Sequence, residues 1–476
     1  MYYRLSPEIA LRSFIGVSRC YYKRNADAAR YISEYDFSLL LQCDGEHDLD
    51  ENDDLTRLVN DGMIISCEKG EKPSEWSQYR HIDNKYFPKM NLMITGKCNY
   101  NCLHCFNAAD NAPIMTEWKY EELLDLLDQA RDCGIHAFTI TGGEPMVHKH
   151  FMDIIRAIYE RDMIVDELNT NGFYINDEIL EELKALGCDA LMKISFDGLG
   201  FHDWMRNRKG AEKLTLDAIK LCLAHGFRVM PQTQVNAVNF DSLLPTLELF
   251  DNLGIRKVRL IRTTEAVRWF QNAGNATLQM EDYYEKMLWL ATQIAKKGLK
   301  LEVLMWNFMK LNALEKNYLM EPVLCREGEY RHTLPVCKGN RGMIGVLSNG
   351  DLIPCIQMSG TFEELGIKYE NIHEHRLKDV LTHSKYLDAV CTNLYKFQKN
   401  CKKCQECPYF KYCCGGCRAI GMICSIEKVE KGQHVDYFGA DLAKCLFYAH
   451  DWYNKIRAAL PDYENLSEIK ALNKDI

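Results

Sequence analysis

The residues best suited to chemistry are three cysteines in one short stretch of the chain, Cys98, Cys102 and Cys105. Their spacing, C-x3-C-x2-C, supplies three thiolates from a single loop, whereas a cubane iron–sulfur cluster usually takes four. The fourth iron would then be free to bind and reduce a small molecule. The loop follows an apolar, strand-like stretch over residues 91–95. We therefore expect it at the carboxyl end of a strand, where barrels of alternating strands and helices carry their active sites.

The composition indicates a globular chain in a reducing compartment. Its 476 residues suffice for about two to four domains, and 47% of them are apolar. The net charge of −9 disfavours a general nucleic-acid binder, which would need a basic surface. The first residues carry charges throughout, and no apolar run reaches the length of a membrane span. The sequence therefore predicts a cytoplasmic protein with neither a nucleic acid nor a membrane as partner.

The number and distribution of the cysteines favour metal ligation. The chain has 21 of them, an odd number, and lacks an export signal, so disulfides are a poor explanation. Many lie between Cys337 and Cys445 in short, regular spacings. Others lie mostly on apolar faces, where a thiol behaves as a small buried hydrophobe: Cys20, Cys43, Cys67, Cys133, Cys188, Cys222, Cys391 and Cys424.

Residues 1–68 have the helix, helix, strand pattern of a winged helix. Helices are predicted over residues 33–43 and 51–61, with Gly62 as a C-cap, and a strand over 63–67. The second helix is acidic, which disfavours DNA as a ligand. Residues 69–85 are polar and are predicted to form a linker.

Residues 86–305 alternate strands with helices, which predicts an α/β fold with a partial, parallel (β/α)6 barrel of TIM type. Strands are predicted over residues 92–95, 137–141, 164–169, 190–196, 228–238 and 257–261. Helices are predicted over residues 120–133, 151–161, 177–186, 213–225, 242–252 and 281–297. Residues 306–476 are less regular and rich in cysteine.

The cysteine loop resembles the cluster loop of the radical S-adenosylmethionine (SAM) enzymes, with His104 at the aromatic position before the last cysteine. Gly142, Gly143, Glu144 and Pro145 follow the second predicted strand and resemble that family's motif for the SAM amino group. Glycines there let the backbone approach a ligand closely, and a carboxylate can receive an ammonium group. The resemblance implies a three-quarter barrel, SAM as cofactor and a four-iron cluster on the three cysteines.

Weaker matches to the family's SAM site follow at the ends of the next two strands. Asn171 follows the third strand, Ser195 and Asp197 end the fourth, and Arg206 comes shortly after. They resemble the polar residues that contact the SAM ribose and the arginine that pairs with the SAM carboxylate. Polar residues at such positions also simply cap strands, so both interpretations stay open.

The late cysteines resemble the SPASM extension of radical SAM enzymes, which holds two auxiliary four-iron clusters. The order is C-x12-G-x4-C, then C-x2-C-x5-C-x3-C, then one more cysteine. By position, the resemblance assigns the first auxiliary cluster to Cys337, Cys355 and Cys417. It assigns the second to Cys404, Cys407, Cys413 and Cys445.

Some assignments in this region stay open. The fourth ligand of the first auxiliary cluster is either Cys325, which lies farther from Cys337 than the family spacing, or none, which would leave an open iron. Cys401 and Cys414 are surplus to both sets. Structural zinc is the competing interpretation, because C-x2-C pairs also suit zinc.

The resemblance implies an enzyme that cleaves SAM to a 5′-deoxyadenosyl radical, which abstracts a hydrogen from its substrate. Residues 1–68 resemble the peptide-recognition element of ribosomal-peptide tailoring enzymes. We therefore expect a precursor peptide whose leader adds as a strand to the wing. The expected product is an intramolecular thioether or carbon–carbon cross-link, and a flavodoxin- or ferredoxin-type protein is the implied electron donor. The catalytic base stays unidentified.

Other functions remain open at this stage. One is the oxidation of a protein side chain, as in the anaerobic sulfatase-maturating enzymes, and another is peptide epimerisation. A non-enzymatic alternative is a zinc-stabilised scaffold that binds DNA or protein through the winged module. Iron content after anaerobic purification separates this scaffold from the radical enzymes.

Overall fold

The computed structural model describes residues 1–107, 116–263, 267–326, 328–359, 362, 366–424, 437–467 and 469. Within them the strands form sheets of three, four and twelve strands. The first seven strands are β1 (Tyr2–Leu5), β2 (Ile9–Ile15), β3 (Val17–Lys23), β4 (Arg30–Tyr31), β5 (Asp44–Asp48), β6 (Ile64–Cys67) and β7 (Arg80–Lys85). The twelve-stranded sheet is built from β8 (Lys89–Thr95), β9 (Ala137–Gly142), β10 (Ile164–Thr170), β11 (Leu191–Ser195), β12 (Val229–Val235), β13 (Lys257–Arg262), β14 (Glu302–Met305), β15 (Met309–Asn312), β16 (Asn317–Met320), β17 (Met343–Val346), β18 (Leu352–Ile353) and β19 (Glu464–Asn465).

The helices of the N-terminal and barrel regions are α1 (Glu34–Gln42), α2 (Asp53–Asn60), α3 (Tyr120–Asp132), α4 (Phe151–Tyr159), α5 (Asp177–Ala185), α6 (His202–Arg206), α7 (Ala211–Ala224), α8 (Leu243–Asn252), α9 (Val267–Asn272) and α10 (Met280–Lys297). Later helices span Lys338–Gly342, Leu377–Val380, Lys385–Val390, Leu394–Asn400, Phe410–Cys413, Arg418–Ile423, Leu442–Ala449 and Trp452–Ala459. Among the described residues, no helix is both long and apolar enough to span a membrane.

The N-terminal module contains the two helices and the strand that its sequence predicts. Ser33 and Asn52 start α1 and α2 by accepting backbone N–H groups from the first turn of each helix. Leu40, Leu58 and Ile64 are completely buried in one hydrophobic core under the sheet β5-β1-β6. The module therefore has a core of its own, and β6 forms one edge of its small sheet.

A second small sheet, β4-β3-β2-β7, was not predicted. Its strand β7 lies inside the predicted linker and pairs in parallel with β2. The linker prediction is thus wrong for residues 80–85. The sequence of β7 is polar because only Ile82 and Asn84 of its six residues are buried, so the composition resembles that of a linker.

The parallel barrel sheet confirms the predicted fold class. Strands β8 to β13 stand side by side in chain order and pair in parallel. Leu92, Met93 and Ile94 of β8 point alternately to the two faces of the sheet and are completely buried, as expected for a parallel strand covered on both faces. The connecting helices α3, α4, α5, α7 and α8 lie where the sequence predicts them.

The twelve-stranded sheet continues beyond the six predicted strands on both sides. β14 pairs in parallel with β13, and β17, from the cysteine-rich region, pairs in parallel with β8. Neither strand was predicted, because each contributes only four residues. The sheet therefore runs across the predicted domain boundary at residue 305.

The N-terminal module packs against the amino ends of the barrel strands. The Tyr22 hydroxyl donates to the Gly134 carbonyl at 2.8 Å, and Asp27 pairs with Lys89 at 2.5 Å. Gly134 precedes β9, and Lys89 begins β8. The module thus lies opposite the carboxyl ends of the strands, where the cysteine loop begins.

Candidate functional site

The three cysteines of the first loop lie together at the carboxyl end of β8. Cys98, Cys102 and Cys105 share one packed cluster of side chains with Tyr100 and Phe173. The Tyr100 N–H donates to Cys98 Sγ at 3.4 Å, which fixes the start of the loop. Burial raises the pKa of Cys98 to about 12, and the neighbouring thiols of Cys102 and Cys105 contribute to that rise. Three thiols packed together without a cation would resist ionisation, so a cationic centre suits this loop.

The loop fits a multi-iron cluster better than a single ion. In the part of the chain that the structure describes, no three His, Cys, Asp or Glu side chains converge tightly enough for one metal ion. A cubane cluster presents its irons at separate corners, so its cysteine ligands stand farther apart than the donors around a single ion. Three thiols on one short, packed loop therefore suit three corners of such a cluster.

The two glycines after β9 pack against the backbone of the cysteine loop. A Cβ on Gly143 would lie 2.3 Å from the Lys97 carbonyl oxygen, and one on Gly142 would lie 2.6 Å from the Thr95 carbonyl oxygen. The sequence predicted that these glycines admit a ligand. The structure gives them a further role, because they let two backbones meet at the carboxyl ends of β8 and β9.

Glu144 is fully buried and bound by its neighbours. Its carboxylate accepts hydrogen bonds from Thr170 Oγ1 at 2.9 Å, from the Asn171 N–H at 2.7 Å and from the Met146 N–H at 3.3 Å. Burial raises the pKa of Glu144 to about 7, although these hydrogen bonds oppose the rise. A nearby cation, such as the predicted ammonium group, would favour the charged carboxylate.

Asn171 connects the Glu144 site to the cysteine loop. Its backbone N–H reaches Glu144, and its Nδ2 donates to Asn99 Oδ1 at 2.7 Å. Asn99 is the residue after the first cysteine and was missed by the sequence argument. No sequence pattern indicates the contact between Asn99 and Asn171, because these two short polar residues lie on separate loops that meet only in the folded chain.

Arg206 is held by Asp197 and points at the cysteine loop. Its Nε lies 2.7 Å from Asp197 Oδ2, its Nη2 donates to Asp197 Oδ1 at 3.1 Å, and its Nη1 approaches Cys102 Sγ at 3.7 Å. Burial opposes ionisation of Asp197, but Arg206 outweighs it and holds the pKa of that carboxyl well below its usual range. In the structure this guanidinium faces Asp197 and Cys102, and its predicted contact with a SAM carboxylate stays a prediction.

His104, Ser195 and Pro145 complete the predicted set around this loop. His104 is buried, and burial lowers its pKa to about 3, so the ring is neutral. Ser195 ends β11, opposite Gln232 of β12. Pro145 begins a single 3-10 turn directly after Glu144. The structure thus brings these residues to the same end of the sheet as the cysteines.

Arg208 is a second residue that the sequence argument missed. Its guanidinium packs over the rings of Phe173 and Tyr100, 4.5 Å and 5.0 Å from their centres, and donates to the Asn99 carbonyl at 3.2 Å. A positive charge thereby covers the loop that carries the thiols. The sequence signal that could have identified Arg208 is its position two residues after Arg206, following the fourth predicted strand.

The structure brings Cys337, Cys355 and Cys417 together, as the resemblance implies. Burial raises the pKa of Cys355 to about 12, and the nearby thiols of Cys417 and Cys337 add to that effect. Cys355 and Cys417 also pack on the same hydrophobic core. These three cysteines are called the first auxiliary triad below.

Five cysteines, rather than four, surround the second predicted auxiliary site. Burial raises the pKa of Cys413 to about 12, and nearby Cys407 and Cys445 contribute. The thiols of Cys401 and Cys404 are hydrogen-bonded to each other, which lowers the pKa of Cys401 and raises that of Cys404. Cys404 also interacts with Cys413 and Cys445. We call the whole set the cysteine pentad: Cys401, Cys404, Cys407, Cys413 and Cys445.

Cys325 lies beside Cys414. Their Sγ atoms are 3.3 Å apart, and both side chains are buried in the core that includes Phe397 and Phe410. Cys337 packs against the same core. The choice between Cys325 and an open iron at the first auxiliary triad stays a prediction.

Two families match the sequence. Residues 92–246 match the radical SAM superfamily, and residues 337–408 match the SPASM iron-sulfur cluster-binding domain. The first match contains the cysteine loop and the Glu144 site, and the second contains two members of the first auxiliary triad and the start of the pentad. The matches therefore include eight of the eleven cysteines in these groups, and Cys413, Cys417 and Cys445 lie beyond the second match.

Individual relatives are similar to this chain in sequence. The AdoMet-dependent heme synthase of Methanosarcina barkeri is 25% identical over 348 residues, which cover 72% of this chain and 95% of that protein. The antilisterial bacteriocin subtilosin biosynthesis protein AlbA of Bacillus subtilis is 25% identical over 355 residues, 72% of this chain and 71% of that protein.

A solved structure shows the same fold. The crystal structure of Streptococcus suis SuiB bound to precursor peptide SuiA superposes with a TM-score of 0.60. The two are 14% identical, and the match covers 88% of this chain and 96% of SuiB. SuiB thus shares the fold, and the two family matches, the first of which includes the three cysteines after β8, identify this chain as an enzyme of the radical SAM superfamily that carries a SPASM domain.

Proposed function

We propose that this enzyme modifies a ribosomally made precursor peptide and leaves an intramolecular cross-link in it, a thioether or a carbon–carbon bond. Similarity to AlbA, which acts in bacteriocin biosynthesis, and to SuiB, solved with a precursor peptide, supports a peptide substrate. Similarity to a heme synthase shows that the barrel alone does not determine the substrate. We therefore assign the selection of the substrate to the N-terminal module.

The observation that carries the peptide proposal is the edge of the module's small sheet. β6 pairs with β1 over four residues, from Tyr2↔Cys67 to Leu5↔Ile64. Its other side pairs with no strand among the described residues. An extended leader peptide can add to such an edge through main-chain hydrogen bonds. Ser66 is exposed on this edge, so a peptide can reach it.

The residues at the carboxyl end of the barrel supply the reaction site in this proposal. Cys98, Cys102 and Cys105 hold a four-iron cluster, which when bound supplies the electron that cleaves SAM and releases the 5′-deoxyadenosyl radical. Glu144 and Asn171 bind the polar end of SAM. The packed barrel below them excludes water from the site.

The cysteine-rich region supplies two further clusters in this proposal, so that the enzyme holds three. The first auxiliary triad binds one, with Cys325 or an open position as the fourth ligand, and the pentad supplies four thiolates for the other. A cross-link removes two hydrogens from the peptide, one to the deoxyadenosyl group and one as a proton with an electron. An auxiliary cluster accepts that electron.

The test uses the full chain, reconstituted with iron and sulfide under anaerobic conditions. With SAM, a reductant and the peptide encoded beside its gene, we expect 5′-deoxyadenosine and a peptide lighter by two hydrogens in mass spectrometry. The Cys102→Ala variant is expected to produce neither. An unchanged peptide mass alongside 5′-deoxyadenosine would instead indicate epimerisation, and stoichiometric zinc with little iron would contradict radical chemistry altogether.

A second experiment tests the module. Two adjacent residues of β6 direct their backbone N–H groups to opposite sides, so the variants Ile65→Pro and Ser66→Pro each remove one N–H. We expect one of them to weaken binding of a fluorescent precursor peptide while SAM cleavage without peptide is unchanged. Full peptide binding in both variants would contradict addition of the leader to β6.

A further inference from the structure

The cysteine pentad contains one thiol more than a four-iron cluster takes. Four of its members match the family pattern, and Cys401 does not. This inference rests on the proposed auxiliary clusters and concerns which of the chain's own residues serve them. The question is whether Cys401 is a bystander or part of the binding site.

The backbone aligns Cys401 with the two cysteines that follow it. The Cys404 N–H donates to the Cys401 carbonyl at 2.8 Å, and the Cys407 N–H donates to the Cys404 carbonyl at 3.4 Å. Such i to i+3 bonds place side chains three residues apart over one another. Cys401, Cys404 and Cys407 therefore project to the same side of this turn.

Cys401 is buried as deeply as Cys404. Its side chain is 3% exposed, compared with 6% for Cys404, and the two thiols are hydrogen-bonded to each other. Both pack in the core of Phe397 and Phe410. Cys445, from the helix Leu442–Ala449, interacts with Cys401 as well. The thiol of Cys401 thus lies inside the pentad, within one hydrogen bond of an assigned ligand.

We propose that Cys401 and Cys404 share one position at the second auxiliary cluster, so that either thiolate can bind the same iron. Cys407, Cys413 and Cys445 hold the other three positions. The shared position needs a side-chain rotation within the turn, since the 2.8 Å bond from the Cys404 N–H to the Cys401 carbonyl sets the two side chains next to each other. The surplus cysteine is then a reserve ligand of this cluster.

The test compares single and double variants of the full chain after anaerobic reconstitution, by iron and sulfide analysis and by electron paramagnetic resonance. Cys404→Ser is expected to retain the wild-type iron content of about twelve per chain and to lack a three-iron signal. The double variant Cys401→Ser/Cys404→Ser is expected to lose iron, up to about four per chain, or to show the three-iron signal. Cys391→Ser, outside the pentad, is the matched control and is expected to match the wild type.

Two results would overturn the shared position. One is a Cys404→Ser variant that loses as much iron as the double variant or shows a three-iron signal. The other is a double variant that keeps as much iron as the single one. Should the double variant not fold, a three-iron signal or an iron content below the wild type in Cys404→Ser alone would overturn the shared position. A wild-type chain with no more than about four irons would refute the auxiliary clusters themselves, which is a distinguishable failure.

Discussion

Asp197 and Arg206 attach the cysteine loop to the barrel through one buried ion pair. Asp197 is completely buried at the end of β11, and Arg206 bridges from it to Cys102. The backbone N–H of Gln234 and the side chain of Arg206 both donate to Asp197 Oδ1. One carboxylate therefore positions β12 and the arginine that faces the loop.

Replacing Asp197 by Asn tests this positioning. The substitution keeps the shape of the side chain but leaves the Arg206 charge buried without its counter-ion. Removing one partner of a buried pair typically costs about 3–5 kcal/mol, so we expect the free energy of unfolding to fall by about that amount. Denaturant unfolding of the anaerobic protein measures it.

The matched control is Asp217→Asn, which removes the exposed partner of Lys213 on α7. Exposed pairs contribute little because water and salt screen them. We expect the unfolding midpoint of this variant to equal that of the wild type. An Asp197→Asn variant as stable as the control would contradict a structural role for the pair.

At the scale of elements, the contact between the loops after β8 and β9 shapes the candidate site. Gly143→Ala would set a Cβ 2.3 Å from the Lys97 carbonyl oxygen and 2.5 Å from that of Gly96. Both are backbone atoms, so the cysteine loop itself has to move. We expect lower iron occupancy and lower 5′-deoxyadenosine formation, measured on the reconstituted chain.

Gly342→Ala serves as its control, because nothing lies within 4 Å of a Cβ at that position. This variant is expected to retain wild-type iron and turnover. Full activity in Gly143→Ala would show that the two loops need not approach as closely as the structure has them.

We expect the cysteine-rich region to depend on its proposed clusters more than the barrel does. Its helices are short, as in Leu377–Val380 and Phe410–Cys413, and isolated helices of that length are not stable in water. We expect removal of iron by a chelator to raise amide hydrogen exchange over residues 401–424. Strands β9 to β12 are expected to keep their protection, since their buried hydrophobic core needs no metal. Equal exchange in both regions would contradict this.

The sequence predicts those elements whose signal is local. A long apolar run predicts β8 correctly, and the short spacing of Cys98, Cys102 and Cys105 predicts that these three thiols lie together. The strands β7, β14 and β17 escape prediction, because β7 is polar and β14 and β17 have only four residues each. Contacts such as Cys325 with Cys414 depend on residues 89 positions apart, which no local pattern encodes.

At the scale of the whole molecule, the N-terminal module, which carries the proposed leader site, and the reaction site lie at opposite ends of the barrel. The module contacts the amino ends of β8 and β9, through Lys89 and Gly134. The cysteines and Glu144 lie at the carboxyl ends of the same strands. A peptide that binds both sites must therefore pass along the barrel.

The strand length sets a minimum for that path. β8 and β10 have seven residues each and β9 has six, which corresponds to roughly 20 Å at about 3.3 Å per residue. An extended peptide covers at most about 3.3–3.6 Å per residue. At least about six residues must therefore separate the leader segment on β6 from the modified residue.

Shortening this spacer in the precursor peptide tests the arrangement. Peptides with fewer than about six spacer residues are expected to bind the full chain as tightly as the native peptide, by fluorescence polarisation, yet to remain unmodified in mass spectrometry. Insertion of several Gly-Ser residues is expected to be tolerated, because closure entropy grows slowly with length. A peptide with a two-residue spacer that loses two hydrogens at the native rate would contradict leader binding at the amino end of the barrel, since such a peptide cannot reach both sites at once.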